Sequence, residues 1–206
     1  VDANSVGPIT VDLGDNGTDF TLGNVTAESG NIGNVTVNAA KEFDGGDLVA
    51  SATEGGSIGN IDVTLTGEPG AASGIGSVTA NATGSVGNIT VTNRSDQDFT
   101  LGAVTAATLG NIAITTEGEG AGNDVTLTDL SDVTGNTGTI DIPADSDVTF
   151  TTGLSGAAGV VGAITVDVTD TNTVNLDTVG AAGFRQNGAT ITGAGGFVMT
   201  TGEVDS

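Results

Sequence analysis

The chain has no cysteine, histidine, tryptophan or tyrosine, a single methionine, and only three basic residues, Lys41, Arg94 and Arg185. Without cysteine, neither a disulfide nor a thiolate metal site can form. Without histidine, the commonest general base and nitrogen ligand is missing. The scarcity of Lys and Arg, against 26 acidic residues and a net charge of −23, argues against nucleic acid and anionic membranes as partners, because both are held by cations on the protein. No run is long and apolar enough to span a bilayer. No apolar run of helical period stands out either. What remains in the 206 residues is 35 glycines and a recurring supply of Val, Ile and Thr, the composition of strands and tight turns.

These residues are ordered by repetition. The stretch "DFTLGNVTAESGNIGNVTV" from Asp19 returns in large part as "DFTLGAVTAATLGNIAITT" from Asp98, 79 residues on. A glycine precedes each strand-like "x-Ile/Val-x-Val" unit at Gly7, Gly33, Gly59, Gly87, Gly110, Gly138, Gly162 and Gly188. The intervals run from 23 to 28 residues, a period of about 26 that is typical of stacked repeats. Two further strands share the period. One begins at Phe20, Leu48, Phe99, Val125, Val148, Val174 and Phe197; the other centres on Val25, Val78, Val104, Leu130, Val179 and Val204.

Three strands of this length cannot bury a face alone, but stacked repeats can. The expected fold is therefore all-β: a three-sided parallel β-solenoid of about eight coils, one domain over residues 1–206, with alternate residues such as Ile9 and Val11 pointing inward. With this period and a Gly/Thr/Asn/Asp-rich, Lys-poor composition, the chain resembles the secreted β-solenoid surface and matrix proteins of bacteria, adhesins and surface-layer proteins among them. The resemblance covers the whole chain and implies an extracellular or cell-surface location.

Several side-chain series repeat with the coils. Asn34, Asn60, Asn88 and Asn111 follow the marker glycines and are expected to form an axial ladder, the alternative being a turn residue that tolerates strained backbone. Asp19, Asp47, Asp98, Asp124 and Asp147 stand just before the second strand. With their oxygen-rich turns they make a candidate Ca²⁺ site, since that ion prefers carboxylate and carbonyl oxygen. A solvated acidic edge is the competing reading, and the Gly-Gly-x-Gly-x-Asp signature of calcium-binding rolls is absent. Outward threonines do not make a regular two-rank array, because Asp12, Asp62, Asp141 and Asp167 interrupt it. Asn16, Asn81 and Asn93 head Asn-x-Ser/Thr sequons in expected turns and are the candidate glycan sites. Lys41 and Arg94 fall in equivalent turns, with Glu68 between them, as expected of a surface charge ladder.

The repeat is already running at Val6-Gly7 and is still regular in "FVMTTGEV". The chain opens at Val1 without an initiator Met or a leader, as a processed chain or a fragment would. Joined end to end, two copies would space Gly188 and the next Gly7 by 25 residues, close to the period. The leading expectation is an extracellular structural protein, not an enzyme, that assembles head to tail into fibres or a matrix. Val6, Ile9 and Val11 at one end, and Phe197, Met199 and Val204 at the other, are its expected interface. A segment of a longer repeat protein would show the same phase. The alternatives are an adhesin or stalk segment binding glycans or another cell, and, third, a polysaccharide-active enzyme working from acidic turns such as Asp145 and Asp147.

Overall fold

Every strand of the chain pairs in parallel with a strand one turn of chain away, so the sequence period is also the pairing period. The fold is given by a computed structural model. It describes residues 1–13, 19–53, 55–66, 72–95, 97–117, 123–130, 132–144, 147–152, 160–161, 164–168, 173–179, 185–186, 189–192 and 196–201.

Two eight-stranded sheets form the long faces. One starts with Ile9–Asp12 and runs through Val35–Ala40, Ile61–Leu65, Ile89–Asn93, Ile112–Thr116, Ile140–Ala144 and Ile164–Val168 to Ala189–Thr192; we call it the isoleucine sheet. The other starts with Phe20–Leu22 and ends with Gly196–Thr201; we call it the phenylalanine sheet. A shorter sheet holds five strands, Asp2–Ala3, Val25–Ala27, Leu48–Ala50, Val78–Ala80 and Val104–Thr105. Among the described residues a fourth sheet contains the two-residue pairs Ser85–Val86 with Thr108–Leu109 and Val160–Val161 with Arg185–Gln186. Single parallel bridges from Val6 through Ile32 and Ile58 to Val86 extend it toward the start of the chain.

The expected three-sided solenoid of eight coils is therefore corrected. The parallel β-solenoid has four sheets, and about five full turns bring a strand to both long faces and the short sheet. Among the described residues the short sheet gains no strand after Val104–Thr105. In the following turn Leu130 is buried but lies outside any strand, the Val133 amide donates back to the Leu130 carbonyl at 3.3 Å, and Val133 makes only an isolated bridge to Ala106. Asp132 and the Thr134-Gly135 pair favour such a turn over a strand. Val179 ends a strand of the phenylalanine sheet, and Val204 lies outside the described residues.

One strand was also misplaced in sequence. Leu48 pairs with Val25 and Val78 on the short sheet, and Phe43 takes the position opposite Phe20. The two phenylalanine rings stack with centroids 6.1 Å apart and planes within 5°.

The core follows from alternation. In Ile61–Leu65 and Ile89–Asn93 every second residue is buried, and the register sets Ile89 between Ile61 and Ile112, and Val91 between Val63 and Ile114. Each such side chain gains roughly 1.5–3 kcal/mol by leaving water. The interior is narrow, so volume is traded between neighbours. Phe43 fills the space beside Gly45, where an added Cβ would lie 2.9 Å from the ring.

Candidate assembly edge and axial ladders

The first turn differs from every turn that covers it. Its inward residues Val6, Ile9, Val11, Leu13, Phe20 and Leu22 pack on the core but remain only partly buried. Their neighbours one turn on are closed off: Ile32 and Val35 are 1 % exposed, Val37 0 % and Phe43 2 %. Residue type does not explain the contrast, since both turns use Val, Ile and Phe. Position does. Ile9–Asp12 and Phe20–Leu22 are the terminal strands of the two long sheets, with no strand on their outer side among the described residues. Apolar side chains and outward main-chain hydrogen-bonding groups thus coincide at one end of the stack, the arrangement that invites pairing with another strand.

Val6, Ile9 and Val11 of the expected interface lie on this edge. Phe197 and Met199 lie on Gly196–Thr201, the terminal strand at the opposite end of the phenylalanine sheet. Sequence reasoning missed Leu13, Phe20 and Leu22 as edge residues. The inward alternation that singled out Ile9 and Val11 extends to Leu13, and Phe20 and Leu22 alternate in the same way on their own strand.

Behind the edge, the turns are tied by axial hydrogen bonds from main chain to side chain. Each Asn of the marker series accepts, on its amide oxygen, the backbone N–H of its counterpart one turn on. The Asn60 N–H donates to Asn34 Oδ1 at 3.0 Å, that of Asn88 to Asn60 Oδ1 at 3.0 Å, that of Asn111 to Asn88 Oδ1 at 2.9 Å, and that of Thr139 to Asn111 Oδ1 at 2.9 Å. The geometry also explains the glycine before each Asn. A Cβ on Gly87 would lie 2.5 Å from Asn60 Oδ1, and one on Gly110 2.5 Å from Asn88 Oδ1. Gly and Asn work as one unit, because the amide oxygen occupies the space a side chain would need. The first turn carries Pro8 opposite Asn34, so the ladder begins with a residue that has no N–H to offer.

The aspartates of the candidate metal series do not form one row. Asp98, Asp124 and Asp147 are consecutive: the Asp124 N–H donates to Asp98 Oδ1 at 3.1 Å and the Asp147 N–H to Asp124 Oδ1 at 3.1 Å. Asp47 belongs to another corner. Its N–H donates to Asn24 Oδ1 at 3.0 Å, and its own Oδ1 accepts the Ser77 N–H and hydroxyl, each at 2.8 Å. Asp19 is exposed beside Phe20, and pairing of Phe20 with Phe43 sets Glu42, not Asp47, opposite it. Among the described residues no three His, Cys, Asp or Glu converge into a group able to hold a metal ion.

Asp124 and Asp47 titrate in opposite senses. Burial raises the Asp124 pKa above the usual 3.8, and the Asp98 and Asp147 carboxylates add to the rise, against the lowering effect of the Asp147 N–H. The Asp47 pKa falls, chiefly through the Ser77 backbone N–H and then its hydroxyl.

The candidate glycan sites are unequal. Asn93 is fully buried: its Nδ2 donates to the Gln97 carbonyl at 2.6 Å, and its Oδ1 accepts the Ser95 N–H at 3.1 Å and the Ser95 hydroxyl. That position has no room for a sugar in the folded chain. Asn81 is half-buried, with Oδ1 accepting the Thr83 N–H at 2.9 Å and Nδ2 donating to the Ala52 carbonyl. Asn16 lies outside the described residues. Of the basic residues, Arg94 pairs with Glu117 at 2.7 Å on the exposed surface. No helix among the described residues is long and apolar enough to cross a membrane.

Comparison of the chain with protein-family models, with curated proteins and with solved structures gave no match in any of the three.

Proposed function

We propose that the chain is an extracellular structural protein, without catalytic activity, that associates end to end through the terminal strands of its solenoid. The parallel β-solenoid is a scaffold suited to structural and adhesive repeat proteins in general, and it leaves function to surfaces and ends. The observation that carries the reading is the partly buried apolar row Val6, Ile9, Val11, Leu13, Phe20 and Leu22 of the first turn, whose strands Ile9–Asp12 and Phe20–Leu22 have no outer neighbour among the described residues. An extracellular setting fits the acidic, lysine-poor composition.

Electron microscopy of the purified chain, beside the variant carrying Val11→Lys and Leu22→Lys, tests it. Filaments from the natural sequence and dispersed particles from the variant are the expected pair of results. Dispersed rods from both would remove the assembly reading and promote the stalk or adhesin alternative.

A further inference from the structure

The end-to-end reading leaves open how two copies would meet; we propose that they meet in a single register, with Ala189 of one copy stacked beside Ile9 of the next. This rests on the assembly reading and adds to it which residue faces which.

The rows of the two long sheets set the alignment. On the isoleucine sheet, one row begins at Ile9 beside Val35 and ends with Ile164 beside Ala189; the neighbouring row begins at Val11 beside Val37 and ends with Val166 beside Ile191. On the phenylalanine sheet, Phe20 and Leu22 begin the rows that end with Val174 beside Phe197 and Leu176 beside Met199. With Ala189 beside Ile9, Ile191 falls in line with Val11. Phe197 then lines up with Phe20 and Met199 with Leu22, so all four rows continue through the junction. A slip of one residue would bring Thr190 into the row of Ile9 and reverse inside and outside along the whole strand.

A slip of two residues restores the alternation, and Pro8 opposes it. On this face Asn60, Asn88, Asn111 and Thr139, each the residue before a strand, turn their N–H toward the preceding turn, where an Asn side-chain oxygen receives it. Pro8 has no N–H. A two-residue slip would place Pro8 beside Thr190, inside a strand, and leave a main-chain carbonyl of the partner copy without its donor.

Because the chain has no cysteine, thiols can be introduced cleanly. Paired residues on neighbouring strands sit about 4.8 Å apart, within the roughly 4.4–6.8 Å that a disulfide spans. The test oxidises the Thr10→Cys/Thr190→Cys protein and reads a non-reducing gel, with sedimentation of the same samples before oxidation. Thr10→Cys/Thr192→Cys reports the two-residue slip, and Thr10→Cys alone reports a head-to-head contact. Thr21→Cys/Val198→Cys reads the same register on the other long sheet, should the first pair disturb folding.

The expected result is a ladder of covalent multimers from the first and last pairs, at least tenfold above the slipped pair and the single variant. Preferential linkage of the slipped pair would overturn the register, as would dimers from Thr10→Cys alone. Multimers in sedimentation that none of these pairs captures would overturn the register while leaving assembly standing. Monomers throughout would remove the assembly reading and the register with it.

Discussion

Replacing Gly87 with alanine probes the unit on which the stack is built. The added Cβ would lie 2.5 Å from Asn60 Oδ1 and 2.9 Å from both the Asn60 nitrogen and the Gly59 carbonyl carbon. Two of those atoms are main chain of the preceding turn, so a rotamer change cannot relieve the contact and the turns must move apart. Overpacking of this kind costs about 1–3 kcal/mol, and the rigid neighbours place it at the upper end. The stiffer unfolded chain returns roughly 0.4–1 kcal/mol. A net loss of about 2 kcal/mol is expected in urea unfolding followed by far-UV circular dichroism. Asn60→Ala removes the acceptor of the Asn88 N–H on a solvent-exposed corner, at a cost of about 1 kcal/mol. In the double variant the clash with Oδ1 is gone while the main-chain contacts remain. The two losses should therefore fall short of additivity by about 1 kcal/mol. A Gly87→Ala protein as stable as the natural one, or strict additivity in the cycle, would refute the account of glycine and asparagine as one device.

Other perturbations bear on separate parts of the structure. Thr137 sits in the core beside Leu109 with its hydroxyl buried and without a hydrogen-bond partner among the described residues, so Thr137→Val should raise stability by about 1 kcal/mol; a loss would show that the hydroxyl is bonded after all. The folded pKa of Asp124 is raised, so its contribution is fully present below about pH 3.8 and is lost as pH rises through the folded value. Asp124→Asn keeps an oxygen for the Asp147 N–H and should stabilise the protein at neutral pH, with the gain vanishing in acid. Asp47 has the opposite sign: its contribution is present above about pH 3.8 and lost as pH falls through its lowered value. Asp47→Asn should therefore destabilise at neutral pH, and urea midpoints across pH 2–7 should show the two variants diverging from the natural protein in opposite directions. Copies carrying −23 repel one another over a Debye length of about 10 Å at 0.1 M salt and about 3 Å at 1 M, so sedimenting mass should grow with sodium chloride; a fall would place ion pairs, not apolar rows, at the junction.

The parallel stack was legible because its pairing period is also its sequence period, and because alternation in strands such as Ile61–Leu65 marks inside and outside directly. What failed was the assumption of constant corners. From the first inward residue of the isoleucine sheet to the first of the phenylalanine sheet, the chain needs 11 residues between Ile9 and Phe20 but only 8 between Val35 and Phe43. A search at fixed offset passes over Phe43 and lands on Leu48, which also follows an aspartate. That error carried Asp47 into the wrong acidic row. The fourth face escaped notice because each turn gives it one or two residues, too few for an alternating pattern. Its signal was present as an apolar residue three positions before each of the first five isoleucine-sheet strands: Val6, Ile32, Ile58, Val86 and Leu109. The exposure of the first turn has no sequence signal, since its residues match those of the buried turns. Only their place at the end of the stack leaves them half-covered.

Hydrogen exchange followed by mass spectrometry, at protein concentrations from below 1 µM to the filament-forming range, tests the edge most directly. Protection should increase with concentration in the segments holding Ile9–Asp12 and Phe20–Leu22 at one end and Ala189–Thr192 and Gly196–Thr201 at the other. Interior strands such as Ile89–Asn93 should exchange slowly at every concentration. Terminal strands that exchange at the same rate throughout would contradict the account, because no second copy would then be covering them.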